Sequence, residues 1–147
     1  MAKINLAITG CLGRMGRQLI KTAVKDRSVK IVSLTENTFL NKKISGIYLE
    51  KNSEKAFHNA HVIIDFTSPK CTFEVLKIAS KLKKKVVIGT TGFSKTEENH
   101  IKKFSQKISI LKAGNMSLGI NLSLFIPAFI FNKASTNSTT LVNSFSG

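Results

Sequence analysis

A chain of 147 residues, 42% hydrophobic and 21% charged, has room for one domain with a sizeable core and lies outside the disordered and fibrous classes. Two cysteines (Cys11 and Cys71) exclude a disulfide framework or a thiolate metal cluster, which fits a reducing cytoplasm. The net charge of +15 invites a nucleic-acid partner, but the only arginines are Arg14, Arg17 and Arg27, and the lysines scatter over several segments. Readers of DNA favour the bidentate arginine fork, so a solvated lysine-rich surface is the expectation, with no nucleic-acid and no membrane partner.

Met1-Ala2-Lys3-Ile4 passes directly into an apolar stretch, without the layout of a secretory signal. Lys3–Thr9 reads as the first strand. It runs into Gly10-Cys11-Leu12-Gly13-Arg14-Met15-Gly16, a strand, glycine turn and helix start. Such a turn holds a pyrophosphate. The first glycine permits the tight turn, the second lets the backbone approach phosphate oxygens, and the third lets the helix pack closely on the strand. Cys11 contributes a small side chain to the loop. The helix Arg14–Lys25 would turn Met15, Leu19, Ile20, Ala23 and Val24 inward, and its free N–H groups would face the phosphates.

Val29–Leu34 is the second strand, ending at Thr35-Glu36-Asn37. Glu36 lies about twenty residues beyond the last motif glycine, where a carboxylate accepts from the adenosine ribose hydroxyls. With neutral Asn37 beside it the reading leans to NAD over NADP, although Lys42 and Lys43 are within reach. Residues 38–54 are less regular, with a β-like piece at Ile47-Tyr48-Leu49, and a short helix covers Ser53–Asn59. His61–Phe66 is the third strand. Ser68 and Pro69 then open a helix over Lys70–Lys81 as N-cap and first residue. Lys85–Ile88 is the fourth strand, ending at Gly89-Thr90-Thr91-Gly92. Ser94 and Glu97 form a capping box for a helix to about Ser105. Ile108–Lys112 is the fifth strand, followed by Ala113-Gly114-Asn115-Met116.

Strands alternating with helices argue for the α/β class, a doubly wound parallel sheet of Rossmann-like type. Such sheets bind ligands beyond the carboxyl ends of their strands. Four strand ends carry small or polar residues, at Gly10–Met15, Glu36, Gly89–Thr91 and Ala113–Met116. Asp65, at the end of the third strand, has two readings, a catalytic carboxylate or the cap of a nearby turn. Cys71 in a first helical turn has its pKa drawn downward if the helix terminus dominates, but no histidine partner is nearby. His58, His61 and His100 share no spacing with acids or cysteines, and no metal site is expected.

Four segments together resemble bacterial 4-hydroxy-tetrahydrodipicolinate reductase, the dihydrodipicolinate reductase family of lysine and diaminopimelate biosynthesis. They are Gly10–Arg17, Ile64-Asp65-Phe66-Thr67-Ser68-Pro69, Val87-Ile88-Gly89-Thr90-Thr91-Gly92-Phe93, and Asn115-Met116-Ser117-Leu118-Gly119-Ile120-Asn121. The resemblance implies that Gly10, Cys11, Leu12, Gly13, Arg14 and Met15 cradle a nicotinamide dinucleotide and that Glu36 holds its ribose. It also implies that Gly89, Thr90, Thr91, Ala113, Gly114, Asn115 and Met116 lie along the nicotinamide side. The family's oxidoreductase chemistry passes hydride from NADH or NADPH to a cyclic imine dicarboxylate.

The chain departs from the family after Asn121. Residues 1–121 read as the dinucleotide-binding domain, and 122–147 as an atypical tail in place of the hinge helix and the C-terminal substrate domain. No histidine follows His100, so the family's His-His-x-His-Lys motif and a catalytic residue are missing, as are its tetramer contacts. Three functions stand at this level. They are the cofactor part of the reductase, feeble or inactive alone, a nucleotide-binding module without chemistry, and a basic nucleic-acid binder.

Overall fold

The computed structural model describes residues 3–38 and 41–112. Among these residues seven strands form one sheet, β1 (Ile4–Thr9), β2 (Val29–Thr35), β3 (Lys43–Ile44), β4 (Ile47–Glu50), β5 (Val62–Asp65), β6 (Lys85–Ile88) and β7 (Ile110–Lys112). The helices are α1 (Arg14–Lys25), α2 (Glu54–Phe57), α3 (Pro69–Leu82) and α4 (Lys95–Phe104). The sheet order is β3-β4-β2-β1-β5-β6-β7, and every pairing is parallel except β3 with β4. Without β3, the chain steps outward from β1 through β2 to β4, then returns to place β5, β6 and β7 on the other side. This is the doubly wound Rossmann order, with its switch point between β1 and β5.

Both faces of the sheet are buried, which is why the strands read as continuous apolar runs. Side chains alternate between the faces along each strand. Leu6, Ile8, Val62, Ile64 and Val87 pack with Leu19, Ile20 and Ala23 of α1. Ala7, Ile63, Val86 and Ile88 pack with Phe57 of α2, Val75, Leu76 and Ala79 of α3, and Ile101 of α4.

Two expectations need correction, and a third is extended. Val24 is not inward but 61% exposed. The buried stripe of α1 is Gly16, Leu19, Ile20 and Ala23, and at 100° per residue Val24 lies roughly 90° from its centre. The last strand begins at Ile110 rather than Ile108, because the Ile108 N–H still donates to the Phe104 carbonyl at the end of α4. The β-like piece at Ile47 is half of a hairpin. Ser45 (φ 50°) and Gly46 (φ 83°) take the left-handed conformations that a two-residue turn between antiparallel strands requires, so Ile44 pairs with Ile47.

Among the described residues no helix is long and apolar enough to cross a membrane.

Candidate functional site

The parallel strands end in register. Thr9 lies beside both Thr35 and Asp65, Asp65 beside Ile88, and Ile88 beside Lys112. The first residues past this even edge are therefore Gly10, Glu36, Phe66 and Gly89, and the loops holding the expected site residues leave the sheet at one level. Ala113, Gly114, Asn115 and Met116, and the domain boundary at residue 121, lie outside the described residues.

The glycine loop is shaped by sterics before any ligand is considered. Gly10 has φ +68°, and a Cβ there would stand 2.6 Å from the Phe66 carbonyl oxygen and 2.8 Å from Thr67 Cγ2. Only glycine meets both conditions without strain. A Cβ on Gly16 would lie 2.8 Å from Cys11 Cα and closer still to the Gly10 carbonyl oxygen. The first turn of α1 thus packs on the loop's own backbone, where the sequence reading had it pack on the strand. Gly13 differs from both. Among the described residues a Cβ there would meet only the Gly10 oxygen, at 3.3 Å. The Gly10 N–H donates to the Thr35 carbonyl at 3.0 Å and the Gly13 N–H to the Gly10 carbonyl at 3.0 Å.

The start of α1 carries no capping side chain and no acidic residue in its first turn. The other helices are capped by Ser53, Ser68 and Ser94, the last in the expected capping box with Glu97. An uncapped helix start presents unsatisfied N–H groups and the positive end of the helix dipole to whatever occupies the space before it. Arg14 is exposed there and Met15 half-buried.

Glu36 folds back onto this loop. Its Oε2 accepts from the Leu12 N–H at 3.3 Å, and its Oε1 from the Asn37 N–H at 3.0 Å. An open cavity of about 710 Å³ runs over the carboxylate, lined by Leu12, Gly13, Arg17, Thr38, Asn41 and Lys42 with Glu36. A second cavity of about 220 Å³ adjoins it. Its wall takes in Gly10, Gly13, Thr35, Glu36 and Asn37 together with Asn52, Phe66, Thr67, Ser68 and Cys71. The two cavities share Gly13 and Glu36, so the glycine loop and the acid form a single cleft.

Several of these lining residues escaped the sequence reading. Phe66, Thr67 and Ser68 follow β5 directly, and the strand-end rule that picked out Gly10 and Glu36 applies to them equally. Arg17 is one turn into α1, on the side of the helix that faces Glu36. Asn52 shows no sequence signal at all. It accepts from the Thr35 hydroxyl at 2.6 Å and donates to Cys71 Sγ at 3.4 Å, tying together three residues of the smaller cavity's wall.

The Gly89–Thr91 loop joins the same rim through Asp65. Asp65 is fully buried, and Thr9, Thr67, Thr72 and Thr90 all donate their hydroxyls to its carboxylate. Of its two readings the structure supports the cap, extended from one turn to four segments. Thr90 is buried and Thr91 exposed, while the Gly89 N–H donates to the Asp65 carbonyl at 2.8 Å. His61 sits at the opposite end of the sheet, where its Nδ1 accepts from the Asn5 N–H at 2.8 Å.

Both cysteines are buried and free. Burial pushes the Cys71 thiol up from its ordinary value, against the lowering allowed by its place in a helix's first turn. Burial and, behind it, the charge of Glu36 push Cys11 from 9.0 up to about 11. A raised thiol pKa favours the fold while the group is protonated. Stability should therefore not depend on Cys11 ionisation below pH 9 and should fall from pH 9 to 11. Urea midpoints across that range should decline more steeply for the natural chain than for Cys11→Ala, and parallel curves would refute the assignment.

Comparison with known proteins agrees with this architecture. Residues 4–116 match the family described as dihydrodipicolinate reductase, N-terminus. The chain is 62% identical over 126 residues to the 4-hydroxy-tetrahydrodipicolinate reductase of Pelagibacter ubique (strain HTCC1062), covering 86% of this chain and 49% of that protein. It is 40% identical over 131 residues to the enzyme of the same name from Buchnera aphidicola subsp. Acyrthosiphon pisum (strain Tuc7), covering 82% and 49%. The chain thus spans about half the length of these curated relatives. Among solved structures, the dipicolinate-bound dihydrodipicolinate reductase of Paenisporosarcina sp. TG-14 has the same fold, with a TM-score of 0.66, 21% identity, and coverage of 78% of this chain and 48% of that one.

Proposed function

Because the chain belongs to the dihydrodipicolinate reductase family through that family's N-terminal region, we propose that it supplies the nicotinamide-dinucleotide site of a 4-hydroxy-tetrahydrodipicolinate reductase. The observation that carries this reading is the single cleft in which Glu36 folds against the Leu12 N–H beside the uncapped start of α1. The residues fit the group. In the proposed complex the diphosphate lies against the Gly10–Met15 backbone, and Glu36 accepts from ribose hydroxyls. The Gly89–Thr91 loop, with Ala113–Met116 by family resemblance, borders the nicotinamide. When bound, the dinucleotide supplies a hydride for a small dicarboxylate substrate. The chain's own part is to hold and orient it. Residues 1–121 form the unit that does so.

Choice between NADH and NADPH depends on the ground around Glu36. A carboxylate favours a free 2′-hydroxyl, the basis of the lean to NAD. Arg17 and Lys42 line the same cavity, and two cations beside the acid are what a 2′-phosphate needs. We propose that both cofactors bind, NADPH through these cations.

Calorimetric titration of the 147-residue chain with NADH and NADPH tests the reading, and no binding of either at millimolar concentration would end it. Glu36→Ala should weaken NADH about tenfold, the scale of a lost charge-assisted hydrogen bond. Lys42→Ala should weaken NADPH several-fold and leave NADH within twofold. Equal losses for the two cofactors in Lys42→Ala would remove the 2′-phosphate assignment while sparing the site.

A further inference from the structure

Asp65 is the one fully buried acid among the described residues, and no step above uses its carboxylate. Its oxygens are crowded. Oδ1 accepts from Thr9 Oγ1 and Thr67 Oγ1, both at 2.6 Å. Oδ2 accepts from Thr90 Oγ1 at 3.1 Å and from Thr72 Oγ1. A carboxylate offers about four lone-pair sites, and four hydroxyls fill them. Thr90 is fixed twice, since its Oγ1 also accepts from the Thr67 N–H at 2.9 Å.

The four threonines come from four different places. Thr9 is the last residue of β1, directly before Gly10. Thr67 lies in the turn after β5, and Thr72 is in the first part of α3. Thr90 is in the loop after β6, two strands from the glycine loop. One carboxylate at the switch point therefore joins the rim that begins the glycine loop to the rim that carries Gly89–Thr91. Backbone pairing fixes strands against their neighbours but leaves loops beyond the sheet edge free to lean. Here the lean of both is set by hydroxyls converging on one group.

We propose that Asp65 is a positioning residue which sets the distance between the phosphate-holding rim and the nicotinamide-side rim, acting through Thr9 and Thr90. The inference rests on the dinucleotide reading above. It predicts an unusual selectivity of damage. A dinucleotide must span both rims, whereas ADP-ribose, which lacks the nicotinamide ring, needs only the first. Loss of Asp65 or of the Thr90 hydroxyl should therefore harm binding of the whole cofactor more than of the fragment.

The test measures NADH and ADP-ribose affinities and thermal midpoints for the full 147-residue chain and for Asp65→Asn, Thr90→Val and Thr72→Val. Asp65→Asn and Thr90→Val should weaken NADH on the order of tenfold and ADP-ribose less than threefold. Thr72→Val removes a bond to the same carboxylate from the helix side and touches neither rim. It should lower the midpoint without changing the ratio of the two affinities. If Asp65→Asn does not fold, Thr90→Val decides alone. Equal losses of NADH and ADP-ribose, tracking the fall in thermal midpoint, would overturn the proposal and leave a purely structural cluster. Failure of the unsubstituted chain to bind either ligand would overturn the dinucleotide reading itself, and the positioning role with it.

Discussion

Gly13→Ala should cost at least tenfold in NADH affinity while changing stability by no more than about 1 kcal/mol, and Gly16→Ala should lead with the opposite loss. The two glycines are three residues apart, Gly13 the N-cap of α1 and Gly16 in its first turn, yet different physics holds them. At Gly13 an added methyl meets, among the described residues, only the Gly10 carbonyl oxygen, at 3.3 Å. The residue is an exposed N-cap, where alanine is a poorer choice than glycine by a fraction of a kcal/mol up to about 1. Nothing in the fold demands glycine there, but the position lines both cavities. A methyl at that point would stand between the backbone and an approaching phosphate.

At Gly16 the methyl would collide with the Gly10 and Cys11 backbone, which has no flexible end to swing aside. Alanine gains about 1 kcal/mol of helix propensity, but overpacking against rigid backbone costs up to about 3 kcal/mol. The net loss of about 2 kcal/mol should lower the melting temperature by roughly 4–8 °C in a chain of this size. Binding would then suffer indirectly, as the loop shifts. Calorimetric titration and thermal melts of both variants separate the two roles. NADH affinity within twofold of the natural chain in Gly13→Ala would mean that no phosphate approaches that backbone.

What the sequence made legible follows the range of the interactions. Each long parallel strand shows in its mostly apolar run, since burial on both faces leaves few polar positions to confuse the pattern. Ser68–Pro69 and Ser94–Glu97 mark helix starts through bonds spanning three residues, and the structure has both. The glycine loop is equally local. Glu36 depends only on a strand length and a turn, so its place beside the loop could be anticipated. Asn52, Lys42 and Arg17 converge on the cleft because β4 pairs outside β2 and α1 crosses above it, facts set by the order of strands. The four-threonine cluster is the extreme case. Its members stand 2 to 56 positions from Asp65, and a threonine at a strand end or in a helix's first turns carries no sign of a shared acceptor. The hairpin at Ser45–Gly46 was missed for a different reason, as two-residue strands fall below the length at which periodicity carries information.

Asp65→Ala should destabilise the chain by about 3–5 kcal/mol, a large part of the 5–15 kcal/mol that holds a domain of ordinary stability together. The carboxylate's removal leaves hydroxyls of Thr9, Thr67, Thr72 and Thr90 to find new acceptors, and each buried group that fails costs about 1–3 kcal/mol. Their prospects differ. Thr9 Oγ1 has the Ile64 carbonyl 3.3 Å away as a fallback, and Thr67 is only part-buried. Thr72 is fully buried and, among the described residues, donates to Asp65 alone. The sign of a second substitution should therefore reverse with context. Thr72→Val should cost about 1–2 kcal/mol in the natural chain, where it strips the carboxylate of a donor. In the Asp65→Ala background it should restore about 1 kcal/mol, because an isosteric apolar group removes an orphaned hydroxyl. Urea unfolding with an unchanged slope reads both effects. At a slope of about 2 kcal/mol/M the Asp65→Ala midpoint should fall by roughly 2 M and recover in part in the double variant. Additive losses in the double variant would show that Thr72 and Asp65 are not coupled, and that the Thr72 hydroxyl does not depend on the carboxylate for its acceptor.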